Sequence, residues 1–139
     1  MCSARFVSLF AALLVALAAC QPVPLKDCPL TSWRYDEQLT VDTCWGNDGE
    51  QWSELRTGPT CPGGPPPYLD DAPDGACRPT ATGWVCAWDD AGRGAPQHQR
   101  IEARVLGPNR AVGRRRFVEE RASGRDCVVE ATWSVARRP

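Results

Sequence analysis

The chain has 139 residues, enough for one ordinary domain. Its 16 basic and 17 acidic residues nearly cancel, so no net charge points to nucleic acid or to an acidic substrate. One histidine and one lysine leave little material for catalytic schemes that depend on those side chains. Eight cysteines are the unusual feature of the composition.

The first nineteen residues have the pattern of a secretory signal. Arg5 precedes a run of fourteen residues, 6–19, that is apolar except for Ser8. A membrane-spanning helix needs about 20 apolar residues, whereas the apolar region of a signal peptide is shorter. We therefore expect residues 1–19 to be a signal peptide that is removed and takes no part in the fold.

The segment continues into Leu17-Ala18-Ala19-Cys20, a branched apolar residue and two small residues before a cysteine. These four positions resemble the lipobox of bacterial lipoprotein signal peptides, and the resemblance covers residues 1–20 only. It implies that the Cys20 thiol receives a diacylglyceryl group, that the chain is cut before Cys20, and that the new amino terminus is acylated. Gln21, in place of an aspartate, implies delivery to the outer membrane if the envelope is Gram-negative.

Ordinary signal cleavage is the rival interpretation, since Ala16-Leu17-Ala18 fits its small-x-small pattern and would release a chain that begins at Ala19. The number of cysteines favours lipidation. Ordinary cleavage leaves seven cysteines, an odd number, whereas attachment of lipid to Cys20 leaves six for disulfides in an exported protein. These six are Cys28, Cys44, Cys61, Cys77, Cys86 and Cys127.

The 120 residues from Cys20 onward have few aliphatic side chains for a core. Leu, Ile, Val and Phe number 17, although all six tryptophans of the chain lie in this part. A tryptophan can bury about 150–250 Å² and a disulfide can contribute about 2–4 kcal/mol, so we expect stability to need both. We expect residues 20–29 to be a short, extended tether and residues 30–139 to be one disulfide-rich domain.

Alternation of apolar and polar residues predicts the strands. From 31 to 45 the odd positions are mostly apolar, with Glu37 as an interruption, and the turn signal at 47–49 can lead back through Trp52. Ten of the nineteen residues in 58–76 are Gly or Pro, which predicts a long irregular loop. Further strands are expected near 84–88, 99–106, 112–118 and 127–135. The predicted fold is mainly β, a small antiparallel meander in a sandwich or barrel, stapled by about three disulfides.

Six cysteines allow fifteen disulfide connectivities. A bridge between Cys86 and Cys127 would join two core-facing strand positions, and we expect it as one of the three. The sequence contains no Cys-x-x-Cys, so it lacks the close ligand pairs of a zinc site. We predict no metal site and no cofactor.

No set of catalytic residues stands out in the sequence. His98 stands alone at the start of a predicted strand, where a histidine is usually incidental. The acidic turn 70–75 resembles a calcium loop only superficially, because Ala72 and Ala81 occupy positions where oxygen ligands are needed. We therefore predict no catalytic residues, although an enzyme stays among the alternatives.

Three hypotheses for function follow. The first is a non-enzymatic, lipid-anchored envelope protein with a binding or structural role, whose partner is an envelope protein or a glycan and not nucleic acid. The second is a scaffold that presents loop 58–76 in the manner of a protease inhibitor. The third is a glycan-directed enzyme or a binder of peptidoglycan or polysaccharide, since tryptophans can stack on sugars. The basic stretch at Arg110 and 114–116 can meet anionic lipid, although a solvated strand face is the better explanation.

Overall fold

The structure is a computed structural model that describes residues 24–91 and 95–139. The expected signal peptide, residues 1–19, and the expected lipid-attachment residue, Cys20, lie outside the described residues. The described chain forms seven strands and two short 3₁₀ turns. The strands are β1 Leu30–Asp42, β2 Gln51–Pro59, β3 Cys77–Pro79, β4 Gly83–Asp90, β5 Gln97–Gly107, β6 Arg110–Glu119 and β7 Cys127–Arg137, and the turns are Leu25–Asp27 and Pro67–Leu69.

All seven strands belong to one antiparallel sheet with the order β2-β1-β7-β6-β5-β4-β3. β1 and β2 form a hairpin, β3 to β7 form a meander, and β7 closes against β1. The mainly β, antiparallel meander predicted from the sequence is confirmed. The sheet is open and single, because β2 and β3 remain its two edges.

The alternation in β1 sorts its side chains onto two faces of the sheet. Trp33, Tyr35 and Leu39 are buried, as the sequence pattern predicts. Glu37 is also buried on this face, so it continues the inward row instead of interrupting it. A register shift after Leu39 then changes the alternation, and Trp45 lies beyond the end of β1 with 70% of its surface exposed. The buried row of odd positions therefore ends at Leu39 and does not extend to Trp45.

A loop takes the place of a second layer over the buried face. Residues 60–76 follow β2 and cross the sheet, and Pro67–Leu69 forms a buried 3₁₀ turn at the centre of the loop. The ring of Tyr68 meets Trp33 edge-on at 5.0 Å and lies 5.8 Å from Trp133. The segment rich in Gly and Pro is thus largely irregular, as predicted, and its centre belongs to the core.

Three disulfides link the six cysteines in the pairs Cys28–Cys61, Cys44–Cys127 and Cys77–Cys86. The expected Cys86–Cys127 bridge is wrong. β5 and β6 separate β4 from β7, and three strand spacings of about 4.8 Å exceed the reach of a disulfide. Both cysteines face the core as expected, but Cys86 pairs with Cys77 on the neighbouring strand β3, and Cys127 pairs with Cys44 just beyond the end of the neighbouring strand β1.

The amino-terminal end of the described chain is tied to the domain at Cys28. Cys28 is buried and bonded to Cys61, and the Thr60 N–H donates to the Pro29 carbonyl at 2.9 Å. Leu25–Asp27 forms a 3₁₀ turn. The tether expected to be extended is therefore compact over this turn.

Candidate functional site

Arg56 joins the loop to the buried face of the sheet. Its guanidinium carbon lies 3.9 Å from the centre of the Tyr35 ring, and only 9% of the side chain is exposed. It donates to the Tyr68 carbonyl oxygen at 3.0 Å and pairs with Asp70 at 3.2 Å and with Asp71 at 3.1 Å. Neutralised by the loop and stacked on an aromatic ring, Arg56 acts as a clamp between the two layers.

Glu37 is a carboxyl group held inside this face, with 4% of its surface exposed. The Tyr35 hydroxyl donates a hydrogen bond to its Oε2 atom. Burial raises the pKa of Glu37, although the Tyr35 hydrogen bond and the positive charges of Arg115 and Arg56 act in the opposite direction. Burial and the neighbouring carboxylate likewise raise the pKa of the Tyr35 phenol.

A cleft of about 430 Å³ opens on the same face, beside Glu37. Its floor consists of Glu37 and of inward residues from the next two rows across β1, β7, β6 and β5, and its wall comes from the end of β1, from β2 and from the turn between them. The floor residues are Glu37, Leu39, Gln99, Arg115, Phe117, Val129 and Ala131, and the wall residues are Asp42, Trp45, Asn47, Glu50 and Trp52. The cleft thus combines apolar surface with a few polar groups, as small-molecule sites do.

The turn that carries Trp45 is organised by the carboxylate of Asp42. This carboxylate accepts hydrogen bonds from the backbone N–H groups of Cys44 at 2.9 Å, Trp45 at 2.9 Å and Asn47 at 3.1 Å. Burial opposes the charge, but these backbone donors prevail and lower the pKa of Asp42. Because the Cys44–Cys127 disulfide ties the same turn to β7, the position of Trp45 is determined by several independent contacts.

The six tryptophans divide into structural and exposed ones. Trp33 and Trp133 are buried, and Trp84 and Trp88 are half-buried against the core. Trp45 and Trp52 are 70% and 38% exposed, and both line the cleft. Composition alone could not separate these two groups. Trp45, for example, is exposed because β1 ends at Asp42, before it reaches this residue.

Two side-chain amides of the cleft have no hydrogen-bonding partner among the described residues. These are Asn47 on the wall and Gln99 on the floor. Gln97, two positions earlier on the same strand face, donates to Glu119 at 3.0 Å. Arg115 in turn reaches Asp71 of the loop at 3.5 Å. The cleft therefore offers free amide donors and acceptors next to one partly neutralised guanidinium.

The basic stretch seen in the sequence is divided between the two faces of the sheet. Arg115 faces the cleft, whereas Arg114 and Arg116 face the open, polar side. Arg116 pairs with Glu130 at 3.2 Å, so the open face does not carry an uninterrupted patch of positive charge. In the acidic turn, the carboxylates of Asp70 and Asp71 form ion pairs with Arg56.

His98 lies away from the cleft, on the open face near the ends of β4 and β5. Its Nδ1 atom is 2.7 Å from Asp89 and its Nε2 atom 3.0 Å from Glu120. The hydrogen bond to Asp89, with a smaller contribution from Glu120, raises the pKa of His98. The sequence neighbours Asp89–Asp90 and Glu119–Glu120 each supply one carboxylate to this surface cluster.

Within the described ranges, no group of three or more His, Cys, Asp or Glu side chains has an arrangement suited to a metal ion. No helix among the described residues is long and apolar enough to span a membrane. Comparisons of the chain with protein-family models, with curated proteins and with solved structures find no match.

Proposed function

We propose that this protein is a lipid-anchored lipoprotein of the bacterial cell envelope, and that its folded domain is a non-enzymatic binding module. The observation that carries the anchoring is the pairing of all six cysteines from Cys28 to Cys127 within the domain. After removal of residues 1–19, Cys20 is the one cysteine outside these three pairs. A single remaining thiol directly after Leu-Ala-Ala is what lipid attachment needs.

The short connection supports a domain held close to the membrane. Eight residues, 20–27, precede the disulfide-bonded Cys28, and three of them form the Leu25–Asp27 turn. At about 3.1 Å per extended residue and about 2 Å per residue in the turn, this segment reaches about 20–25 Å. We propose the outer membrane as the location in a Gram-negative envelope, because Gln21 follows Cys20.

The cleft favours a binding role for the domain. It is lined by two exposed tryptophans and by amides that have no partner within the described residues. The inhibitor alternative needs a protruding loop, but the centre of loop 58–76 is occupied by Pro67–Leu69, which is buried. We therefore favour recognition through the cleft over presentation of the loop.

The anchoring proposal is tested by the intact mass of the protein extracted from membranes with detergent. We expect a chain that begins at Cys20, carries diacylglyceryl and acyl groups, and gains six hydrogen atoms when its disulfides are reduced. The Cys20→Ser variant should lose the lipid mass. Cys2→Ser, which alters a cysteine of the signal peptide only, is the matched control and should give the wild-type mature mass. A soluble wild-type product that begins at Ala19 would contradict the proposal.

A further inference from the structure

We propose that the cleft between the β1–β2 turn and the sheet binds an uncharged saccharide, with its sugar rings against Trp45 and Trp52. This inference deepens the binding role proposed above and rests on it. It names the chemical class of the ligand and the surface that recognises it.

The first support is that Trp45 is held in an exposed position. Its backbone N–H is bonded to Asp42, and its neighbour Cys44 is covalently tied to Cys127. A tryptophan on a loose end would collapse onto the nearest apolar surface, because burial of an indole is favourable. This turn instead keeps 70% of Trp45 in solvent at the edge of a cleft. The arrangement is that of a preorganised aromatic platform.

The second support is the chemistry opposite the indoles. A sugar ring presents apolar C–H faces and, around its rim, hydroxyl groups that donate and accept hydrogen bonds. The floor of the cleft supplies apolar Phe117 and Val129 together with the amide of Gln99, which has no partner among the described residues. Amides donate and accept at once, so they match hydroxyl groups in either role.

The third support is the balance of charge, which disfavours anionic ligands. Glu37, Asp42 and Glu50 line the cleft and would repel a phosphate or carboxylate. The carboxylate of Asp42 is already occupied by three backbone donors, so it is less available to pair with a cation. A neutral, polyhydroxylated ligand can bond to the amides and avoids the repulsion of an anion. The volume of about 430 Å³ also lies within the range of small-molecule sites, about 300–1,000 Å³.

The test is binding of neutral tetrasaccharides built of glucose, galactose, mannose or N-acetylglucosamine to the detergent-extracted, full-length mature protein. Tryptophan fluorescence and calorimetry report the Kd. We expect at least one neutral oligosaccharide to bind with micromolar to millimolar Kd, and Trp45→Ala and Trp52→Ala each to weaken binding at least tenfold. Leu55→Ala removes a side chain that is 63% exposed on the opposite face, so it is the matched control and should bind as the wild type does.

The amides are tested by a second pair of variants. Gln99→Leu should weaken binding about three- to tenfold, whereas Gln51→Leu, on the open face of β2, should have no effect. Unchanged thermal midpoints would show that the variants remain folded.

Four results would overturn the inference. They are no binding of any neutral oligosaccharide, binding of the cationic glucosamine tetramer alone, binding of the anionic galacturonate tetramer alone, and neutral binding that Trp45→Ala leaves intact. A mass that shows lipid on Cys20 together with any of these results would leave the anchoring proposal standing and remove the saccharide site. Saccharide binding by a chain that begins at Ala19 would support the saccharide site and contradict the anchoring proposal.

Discussion

Glu37 and Arg56 are charged residues on the covered face of the sheet. Glu37 is buried, and only 9% of the Arg56 side chain is exposed. Neither stands out in the sequence, where Glu37 interrupts an alternating pattern and Arg56 occurs in a polar strand. Both residues contact Tyr35. The Tyr35 hydroxyl donates a hydrogen bond to Glu37, and the guanidinium of Arg56 lies over the Tyr35 ring. The side chain of Tyr35 therefore interacts with both of these charged residues.

The raised pKa of Glu37 predicts how stability depends on pH. A carboxyl group whose folded pKa exceeds its unfolded value stabilises the fold at low pH, and this contribution is lost as pH rises through the folded pKa. Glu37→Gln removes the charge and keeps an acceptor for the Tyr35 hydroxyl. We expect the variant to gain stability relative to the wild type as pH rises above about 4.5, measured by urea unfolding from pH 4 to pH 8.

Asp42→Asn is the control of opposite sign. The folded pKa of Asp42 is lowered, so its stabilisation is present above the unfolded value of 3.8 and disappears as pH falls through the folded pKa. This variant should be less stable than the wild type at pH 7 and approach it in acid. The difference in free energy of unfolding from the wild type should change with pH in opposite directions for the two variants. If both differences changed in the same direction, the conclusion that burial destabilises the charged form of Glu37 would be wrong.

Removal of the Arg56 clamp should loosen the loop from the sheet. Arg56→Ala loses the contact with Tyr35 and two ion pairs to the loop, and we expect a loss of about 2–4 kcal/mol in the free energy of unfolding. Arg34→Ala breaks an exposed ion pair with Asp36 and should cost less than about 1 kcal/mol. Limited proteolysis should cleave residues 60–76 faster in Arg56→Ala only. Equal losses in the two variants would remove the case for a clamp.

At the scale of elements, close packing of β6 against β7 depends on Gly113. A Cβ atom placed there would lie 2.1 Å from Cζ2 of Trp133 and 2.2 Å from the Glu102 carbonyl oxygen. These distances are far below van der Waals contact, and one of the obstructing atoms belongs to the backbone. The absence of a side chain at Gly113 thus gives the large indole of Trp133 room in the core.

We predict that Gly113→Ala destabilises the fold by about 3 kcal/mol, since the buried indole or the β5 backbone must move. Gly107→Ala is the matched control, because a Cβ atom at Gly107 meets nothing within 4 Å. It should change stability by less than about 1 kcal/mol. Chemical denaturation monitored by tryptophan fluorescence measures both, and a tolerated Gly113→Ala would contradict the packing described for Trp133.

At the scale of the whole molecule, the seven-stranded sheet has its hydrophobic core on one face only, the face that the loop covers. Its buried hydrophobic residues include three cysteines, and loop 60–76 is the only segment described over the core, so the covalent links carry much of the stability. The bridges differ in reach: Cys44–Cys127 spans 83 residues, Cys28–Cys61 spans 33, and Cys77–Cys86 spans 9. Longer enclosed loops restrict the unfolded chain more strongly.

We therefore expect the double variant Cys44→Ala with Cys127→Ala to lose about 4–5 kcal/mol in the free energy of unfolding. The double variant Cys77→Ala with Cys86→Ala removes a bridge that closes a much shorter loop, and it should lose about 2–3 kcal/mol. Urea unfolding of the oxidised proteins measures both. Because the first bridge also holds the turn of Trp45, its removal should increase the mobility of that indole in fluorescence anisotropy. An inverted order of losses would show that native packing at Cys86 outweighs loop closure.

The amino-acid sequence by itself determined most of the strands, since alternation of apolar and polar residues is a local property that each strand carries alone. It also determined that six cysteines are available for three bridges, and it predicts the signal peptide and Cys20 as the site of lipid attachment. Alternation sufficed for β4 to β7, whose bounds lie within a few residues of those predicted. The three-residue strand β3 was not predicted, because so short a segment has no period to detect.

Only the tertiary structure decided which cysteines pair, which face the loop covers and where the cleft lies. These features depend on the order of strands in the sheet and on the register shift after Leu39, and both arise from contacts between residues distant in sequence. The pairing of Cys44 with Cys127 follows from β7 lying next to β1, and Trp45 and Gln99 line one cleft because only β7 and β6 separate β1 from β5. The sequence predicts different roles for its eight cysteines, but a binding surface needs neighbours that only the folded sheet brings together.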